Sequence, residues 1–179
     1  MEKRALVISP IAPYVVKPAH MAEPDDEGWY GQIVEILEEA EDGFYRIRTP
    51  YRYETYVHAT HLCLDEAEAE RWEKADLRRV WAAWADVQVE SGATHPHHIS
   101  LCRGAVVEFV APPEKPQGWA KVRLIGGAEG FVREGFLGPY YENEPSAGEE
   151  ELRNSVVEAA KLYMGVQYRW GGKTPQGID

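Results

Sequence analysis

Cysteine is scarce in this chain: Cys63 and Cys102 are the only two in 179 residues, too few for a disulfide framework and at no spacing that matches a metal site. Basic residues are also in short supply, with 19 Lys and Arg against 30 Asp and Glu and a formal charge of -11. Such a surface repels phosphate backbones and anionic headgroups, which excludes nucleic acid and membrane surfaces as expected partners. Long apolar runs are missing too. None approaches the roughly 20 residues of a membrane span, and the N-terminal "RALVISPIAPYVV" is interrupted by Pro10 and Pro13 without a small-residue cleavage site after it. That segment reads as a first strand. The expectation is a soluble, cytoplasmic protein that needs no metal and no cofactor, with export of the parent protein and oligomeric state left open.

Aromatics, by contrast, are plentiful: six Trp and ten Tyr in a chain that is 44% hydrophobic indicate a globular core rather than disorder. Two segments follow one plan, "GQIVEILEEAEDGFYRIR" with "YETYV" after it and "GAVVEFVAPPEKPQGWAKVR" with "AEGFV" after it. Gly31 corresponds to Gly104, Gly43-Phe44 to Gly118-Trp119 and Tyr56-Val57 to Phe131-Val132, about 73 to 75 residues apart by subtraction of their numbers. A fixed offset of this kind marks an internal repeat. Within each copy, apolar and polar residues alternate with period 2, as in Tyr45, Arg46, Ile47, Arg48, the signature of half-buried strands. The Gly-aromatic pairs mark hairpin returns. Short strands at close spacing point to small closed barrels, which remove exposed edges by wrapping round.

The shared order of a glycine-led strand, a polar turn, Gly-aromatic-x-[KR]-[IV]-Arg and x-Glu-x-aromatic-Val resembles the bacterial SH3-like domain, a small β-barrel often found in tandem in cell-wall proteins. The copies are placed at residues 1–64 and 78–141. Between them, residues 65–77 read as a helical connector, with Asp65 at the N-cap and acidic residues in the first turn. The next stretch, "LRRVWAAWADVQVE", fits either a continuation of that helix or the entry strands of the second barrel, and strand is the preferred reading. Residues 142–150 have linker composition, with Pro145 and Gly148. A new unit then opens at 151–179. Leu152, Val156, Val157, Ala160, Leu162 and Tyr163 recur at helical spacing, an amphipathic helix stopped by Gly165.

After that helix comes "VQYRWGGKTPQGID". The helix followed by Leu-Tyr-x-Gly-x-x-Tyr-x-Trp-Gly-Gly-x-Thr-Pro-x-Gly-x-Asp resembles the opening of the NlpC-type cysteine peptidases of bacterial cell-wall peptides. The fold class this implies is mostly β: two tandem bacterial SH3-like barrels, then the first helix and loop of an α+β papain-like catalytic domain. In that family the aspartate is followed by the nucleophilic cysteine, whose pKa is lowered at a helix N-terminus beside a histidine. The resemblance therefore implies that the chain stops just short of its nucleophile, with no catalytic residue among these 179. It implies that Tyr168 sets its hydroxyl near the nucleophile and developing oxyanion and that Asp179 flanks the nucleophile and helps bind substrate.

The layout further resembles the γ-D-glutamyl-L-diamino-acid endopeptidases, in which the first barrel selects murein peptides with a free N-terminal L-Ala. Selecting an ammonium requires a shielded carboxylate and a hydroxyl. Glu27 and Tyr56 are the candidates for those roles, with Asp25 and Asp26 in reserve and Glu23 in the same acidic run. The alternative function is a non-catalytic tandem module that binds cell-wall peptide or a protein partner. The histidines of "HATHLC" and "HPHH" match no closed zinc pattern. Trp81, Trp84, Trp119, Tyr140 and Tyr141 read as core or interdomain packing in preference to a glycan platform.

Overall fold

The computed structural model describes residues 3–92, 94–114, 118–140 and 148–179. Tyr141, the expected end of the second barrel, and residues 142–147 of the expected linker lie outside the described residues. The chain is mostly β. Its first sheet contains β1 (Lys3–Val7), β2 (Ile11–Val15), β3 (Pro24–Trp29), β4 (Ile33–Glu39), β5 (Phe44–Arg48), β6 (Glu54–His58) and β7 (Leu62–Cys63). Helix α1 (Glu66–Glu73) follows, then a second sheet of β8 (Leu77–Val80), β9 (Trp84–Gln88), β10 (His97–Cys102), β11 (Val106–Ala111), β12 (Trp119–Arg123), β13 (Glu129–Arg133) and β14 (Leu137–Pro139). The ambiguous stretch after the helix is thus strand. Both sheets are antiparallel with the same order of strands, β3-β2-β6-β5-β4-β1-β7 in one and β10-β9-β13-β12-β11-β8-β14 in the other.

Local chemistry sets these elements. The N-terminal apolar run is two strands rather than one, because Ser9-Pro10 separates β1 from β2. Asp65 caps α1 by accepting from the backbone N–H groups of Ala67 and Glu68, which satisfies donors that the first helical turn leaves without partners. In β6, Thr55 and Val57 are buried while Glu54, Tyr56 and His58 take the other face, as the strand period requires.

The first sheet keeps a core of its own, in which Val7, Tyr14, Val34, Ile47 and Val57 pack together, and a second cluster is shared between the copies. Leu6 and Tyr30 from the first copy join Ala69 and Trp72 of α1 and Val80, Leu101, Val107 and Val122 of the second copy in one buried cluster. The Trp72 indole N–H donates to the Gly31 carbonyl at 3.1 Å. The Tyr30 carbonyl accepts from Val106 N–H at 2.8 Å, and its hydroxyl accepts from Ile125 N–H at 2.6 Å. Gly31 and Gly104, matched in the repeat, both have positive φ, 80° and 97°, and both lie at this junction. A Cβ on Gly31 would meet the Val106 carbonyl oxygen at 2.5 Å, and one on Gly104 would meet the Trp29 ring at 3.2 Å.

Of the aromatic residues singled out in the sequence, Tyr140 is partly buried against the shared cluster and Trp119 is half-buried, but the two tryptophans of the entry strands are not in the core. Trp81 and Trp84 are 46% and 38% exposed; Trp84 shares β9 with the inward Ala85 and Val87 and takes the outer face by alternation. The interior uses Trp72, Tyr14 and Tyr30 instead. Helix α2 (Glu149–Lys161) buries none of its residues, and its apolar stripe, including Leu152 and Val156, stays exposed. Beyond it, β15 (Lys173–Thr174) and β16 (Gly177–Ile178) form a short hairpin.

Candidate functional site

The C-terminal hairpin packs on β3, the edge strand of the first sheet, and covers backbone groups that an edge leaves open. Gly171 makes the approach possible. Its φ is +67°, and a Cβ there would meet the Asp25 carbonyl group at 3.0 Å, so glycine alone satisfies both the left-handed backbone and the contact. The Gly171 N–H donates to Asp179 Oδ2 at 3.1 Å. Asp179 N–H in turn donates to the Gly172 carbonyl at 2.9 Å. Tyr168 bridges to Ile178. Restricted solvation and the Asp179 carboxylate raise the Tyr168 pKa, which keeps its hydroxyl a donor.

The acidic run of β3 meets this hairpin residue by residue. Glu27, 3% exposed, accepts from Lys173 N–H through Oε2 at 3.1 Å. Its Oε1 is buried without a hydrogen-bond donor among the described residues, and Arg169 Nη1 stands 3.5 Å away, close enough for ion pairing only. Asp26 Oδ1 pairs with Lys173 Nζ at 2.7 Å, and its other oxygen accepts from the Tyr51 hydroxyl. Lys173 also donates to the Tyr51 hydroxyl at 2.6 Å and sits 4.5 Å from the centroids of both the Trp29 and Tyr51 rings, within cation–π range. Burial lowers the Lys173 pKa, with Asp26 opposing that shift. Burial and the bond to Asp26 raise that of Tyr51.

Asp25 differs from its two neighbours. It accepts from the Tyr53 hydroxyl at 2.6 Å, yet no cation among the described residues lies within ion-pairing distance of it. Its pairing with Tyr53 is solvent-exposed, and its backbone touches Gly171, whose N–H holds Asp179. A carboxylate and a phenol in this arrangement suit an incoming ammonium.

The structure therefore brings Glu27, Asp25, Asp26, Tyr168 and Asp179 to one place, where Glu27 braces the hairpin. Tyr56 makes none of the hydrogen bonds of this cluster; it is half-buried on the outer face of β6, opposite Val15 and Arg46. The phenols at the site come from the β5–β6 turn instead. Arg52 N–H donates to Thr49 O at 2.9 Å, Tyr53 N–H donates to Thr49 Oγ1 at 3.0 Å, and Arg52 takes φ 65°, so the turn presents Tyr51 and Tyr53 to the acids. Tyr51, Tyr53, Lys173 and Trp29 were not singled out from sequence. The available signal was the turn "TPYRY", with aromatics flanking a position of unusual backbone geometry. The histidines disperse into local bonds: His58 to Thr60, His61 to Ser9 and His98 to the Glu129 carbonyl.

No family model matches the chain. It is 34% identical over 176 residues to dipeptidyl-peptidase 6 of Lysinibacillus sphaericus, covering 98% of this chain and 65% of that protein. The chain thus spans just under two thirds of the curated relative it matches. Its fold is similar to the crystal structure of an NlpC/P60 family protein from Bacillus cereus, with a TM-score of 0.73 at 12% identity over 98% of this chain and 68% of that one. An NlpC/P60 endopeptidase from Photobacterium damselae subsp. piscicida gives a TM-score of 0.60 at 14% identity, over 99% of this chain and 40% of that one. Identities this low show shared fold alone; the structural neighbours are NlpC/P60 proteins and the curated relative is a peptidase.

Proposed function

We propose that this chain is the specificity region and opening catalytic segment of a cysteine peptidase that cleaves γ-D-Glu–diamino acid bonds in murein peptides with a free N-terminal L-Ala. The observation that carries the proposal is the contact between β3 and the C-terminal hairpin. It sets the uncompensated Asp25–Tyr53 pair next to the loop that holds Tyr168 and Asp179. In this reading the peptide ammonium enters between Asp25 and the Tyr53 oxygen. An ammonium carries three donors, and a charge-assisted bond to an ionised carboxylate is about twice as strong as a neutral one. Lys173 has already neutralised Asp26, and Glu27 is engaged by Lys173 N–H beside Arg169, so neither is the better acceptor. Tyr168, kept protonated, donates toward the reacting carbonyl, and the cysteine nucleophile is expected immediately after Asp179. The two barrels are of the bacterial SH3-like kind. The open apolar stripe on α2 supports its place as the first helix of a larger unit, and the peptidase and NlpC/P60 relatives support the reaction class.

Calorimetry with L-Ala-γ-D-Glu tests the recognition step. The wild-type protein is expected to bind the free amine at least about tenfold more tightly than the N-acetylated dipeptide, a difference of about 1.4 kcal/mol. Asp25→Asn should abolish that preference, whereas Glu27→Ala should weaken both ligands by loosening the hairpin. Equal binding of amine and acetamide by the wild type overturns the proposal.

A further inference from the structure

Next to the acidic site, and sharing Lys173 with it, lies a cleft of about 280 Å³ lined by Trp29, Arg79, Trp81, Arg103, Tyr163 and Lys173, together with Val80 and Gly104. Every charged residue lining it is a cation, in a protein whose net charge is -11. Several arginines elsewhere are engaged by carboxylates: Arg48 by Glu35 and Glu54, Arg71 by Glu68 and Glu108, Arg123 by Glu108 and Glu129. Arg79 and Arg103 differ in having no carboxylate within ion-pairing distance among the described residues. Each is held from one side only. Arg79 stacks on Tyr140 with 5.4 Å to the ring centroid, and Arg103 donates to the Trp81 carbonyl. A guanidinium has five donors in a fixed fork, so most of the donors of both remain available.

The scaffold does not require these arginines. Gly31 N–H donates to Val7 O in the first copy as Gly104 N–H donates to Val80 O in the second, which aligns Arg79 with Leu6 and Arg103 with Tyr30. Leu6 and Tyr30 are buried in the shared core; their counterparts face an open cleft. Aromatic walls around two unpaired planar cations match a carboxylate attached to a short apolar or amide-bearing body, since a guanidinium fork takes both oxygens of a carboxylate at once.

We propose that this cleft is a second subsite, one that binds a carboxylate of the peptide ligand through Arg79 and Arg103. That the ligand is a peptide rests on the function proposed above; that the cleft takes an oxyanion does not. The test uses N-acetyl-L-Ala-γ-D-Glu and its diamide, neither of which carries an ammonium for Asp25, with binding followed by calorimetry and by tryptophan fluorescence. The acid is expected to bind at least about tenfold more tightly than the diamide, and Arg79→Gln with Arg103→Gln should erase that difference. If the glutamine protein fails to fold, Arg79→Lys with Arg103→Lys keeps the charge without the fork and should retain part of the preference. Equal binding of acid and diamide by the wild type, or an undiminished preference in the folded glutamine protein, overturns the proposal. Inorganic phosphate competing at the concentration of the dipeptide overturns the assignment to a peptide carboxylate. Asp25→Asn should leave the preference for acid over diamide in place, so failure of the amine site and failure of this cleft give different results.

Discussion

The two copies of the repeat share a scaffold and differ in what their loops do. The same ion ladder runs across the outer face of each. Arg48 bridges Glu35 at 2.8 Å and Glu54 at 2.7 Å, and Arg123 bridges Glu108 at 2.7 Å and Glu129 at 2.8 Å. The [KR]-[IV]-Arg and Glu elements of the sequence motif are therefore cross-strand pairs that fix register, each arginine joining one more buried and one more exposed carboxylate. The β5–β6 turn of the first copy carries Tyr51 and Tyr53 to the acids of β3. The matching turn of the second copy lacks those phenols, and its backbone is used for joining: Ile125 N–H donates to the Tyr30 hydroxyl and Gly126 N–H to Glu68. One copy turns its loop to the acids of β3, and the other uses its turn to hold its twin.

The largest expected effect tests whether the shared cluster couples the two copies. Trp72→Ala empties a fully buried site between them and should cost about 3–5 kcal/mol. Denaturant unfolding followed by fluorescence and by far-UV circular dichroism should still give one coincident transition at lower midpoint. Two separated transitions would show that the copies are independent after all. A middle-sized effect concerns the first copy's distinctive face. Lys173→Met removes the bonds to Asp26 and Tyr51 and should weaken hairpin docking by about 1–3 kcal/mol, which speeds amide exchange at Thr174 and Ile178 by roughly tenfold or more. Exchange in β12 and β13 should be unchanged; slowing or no change at the hairpin would mean that Lys173 is a bystander.

The smallest effect separates the copies by pH. His61 ends the turn before β7, where Phe136 ends the turn before β14, and the two carbonyls accept equivalent bonds from Ile8 and Trp81. Burial and nearby His58 hold the His61 pKa below its ordinary 6.5. The folded state therefore takes up that proton later than the unfolded chain, so the contribution is present above pH 6.5 and is lost as pH falls through the lowered value. His61→Phe, which installs the second copy's residue, should remove less than about 1 kcal/mol of acid sensitivity. Urea midpoints at pH 7.5 and pH 5 measure it; an identical pH dependence in the variant would assign the sensitivity to another group.

Much of this was legible in the sequence. The repeat offset anticipated two sheets of identical strand order, Asp65 was identified as a cap, and the acidic run did come to lie against the C-terminal motif. Periodicity and capping are local, and local rules suffice for them. The partners of the acids were less accessible. Glu27 and Lys173 are 146 residues apart, and nothing in either segment marks the other. Tyr56 is the motif tyrosine and for that reason belongs to the scaffold, on a strand face fixed by alternation. Tyr51 and Tyr53 are displayed by a turn whose shape depends on Arg52 in a left-handed conformation, which β-branched and bulky residues avoid and sequence patterns rarely announce. Arg79 on β8 and Arg103 after β10 meet in one cleft only through the packing of those elements, which no local pattern announces.

The paired glycines at the junction have a consequence for how such a protein can evolve. Gly31 makes room for Val106 of the other copy, and Gly104 makes room for Trp29 of the first. Each unit thus carries the recess that its neighbour fills. A unit exchanged for a homologous module from another chain would arrive with one half of a two-part joint, and a change at either glycine would be felt on both sides at once. One strand plan used twice supplies similar parts; the reciprocal fit makes the two a single unit that change must respect as a whole.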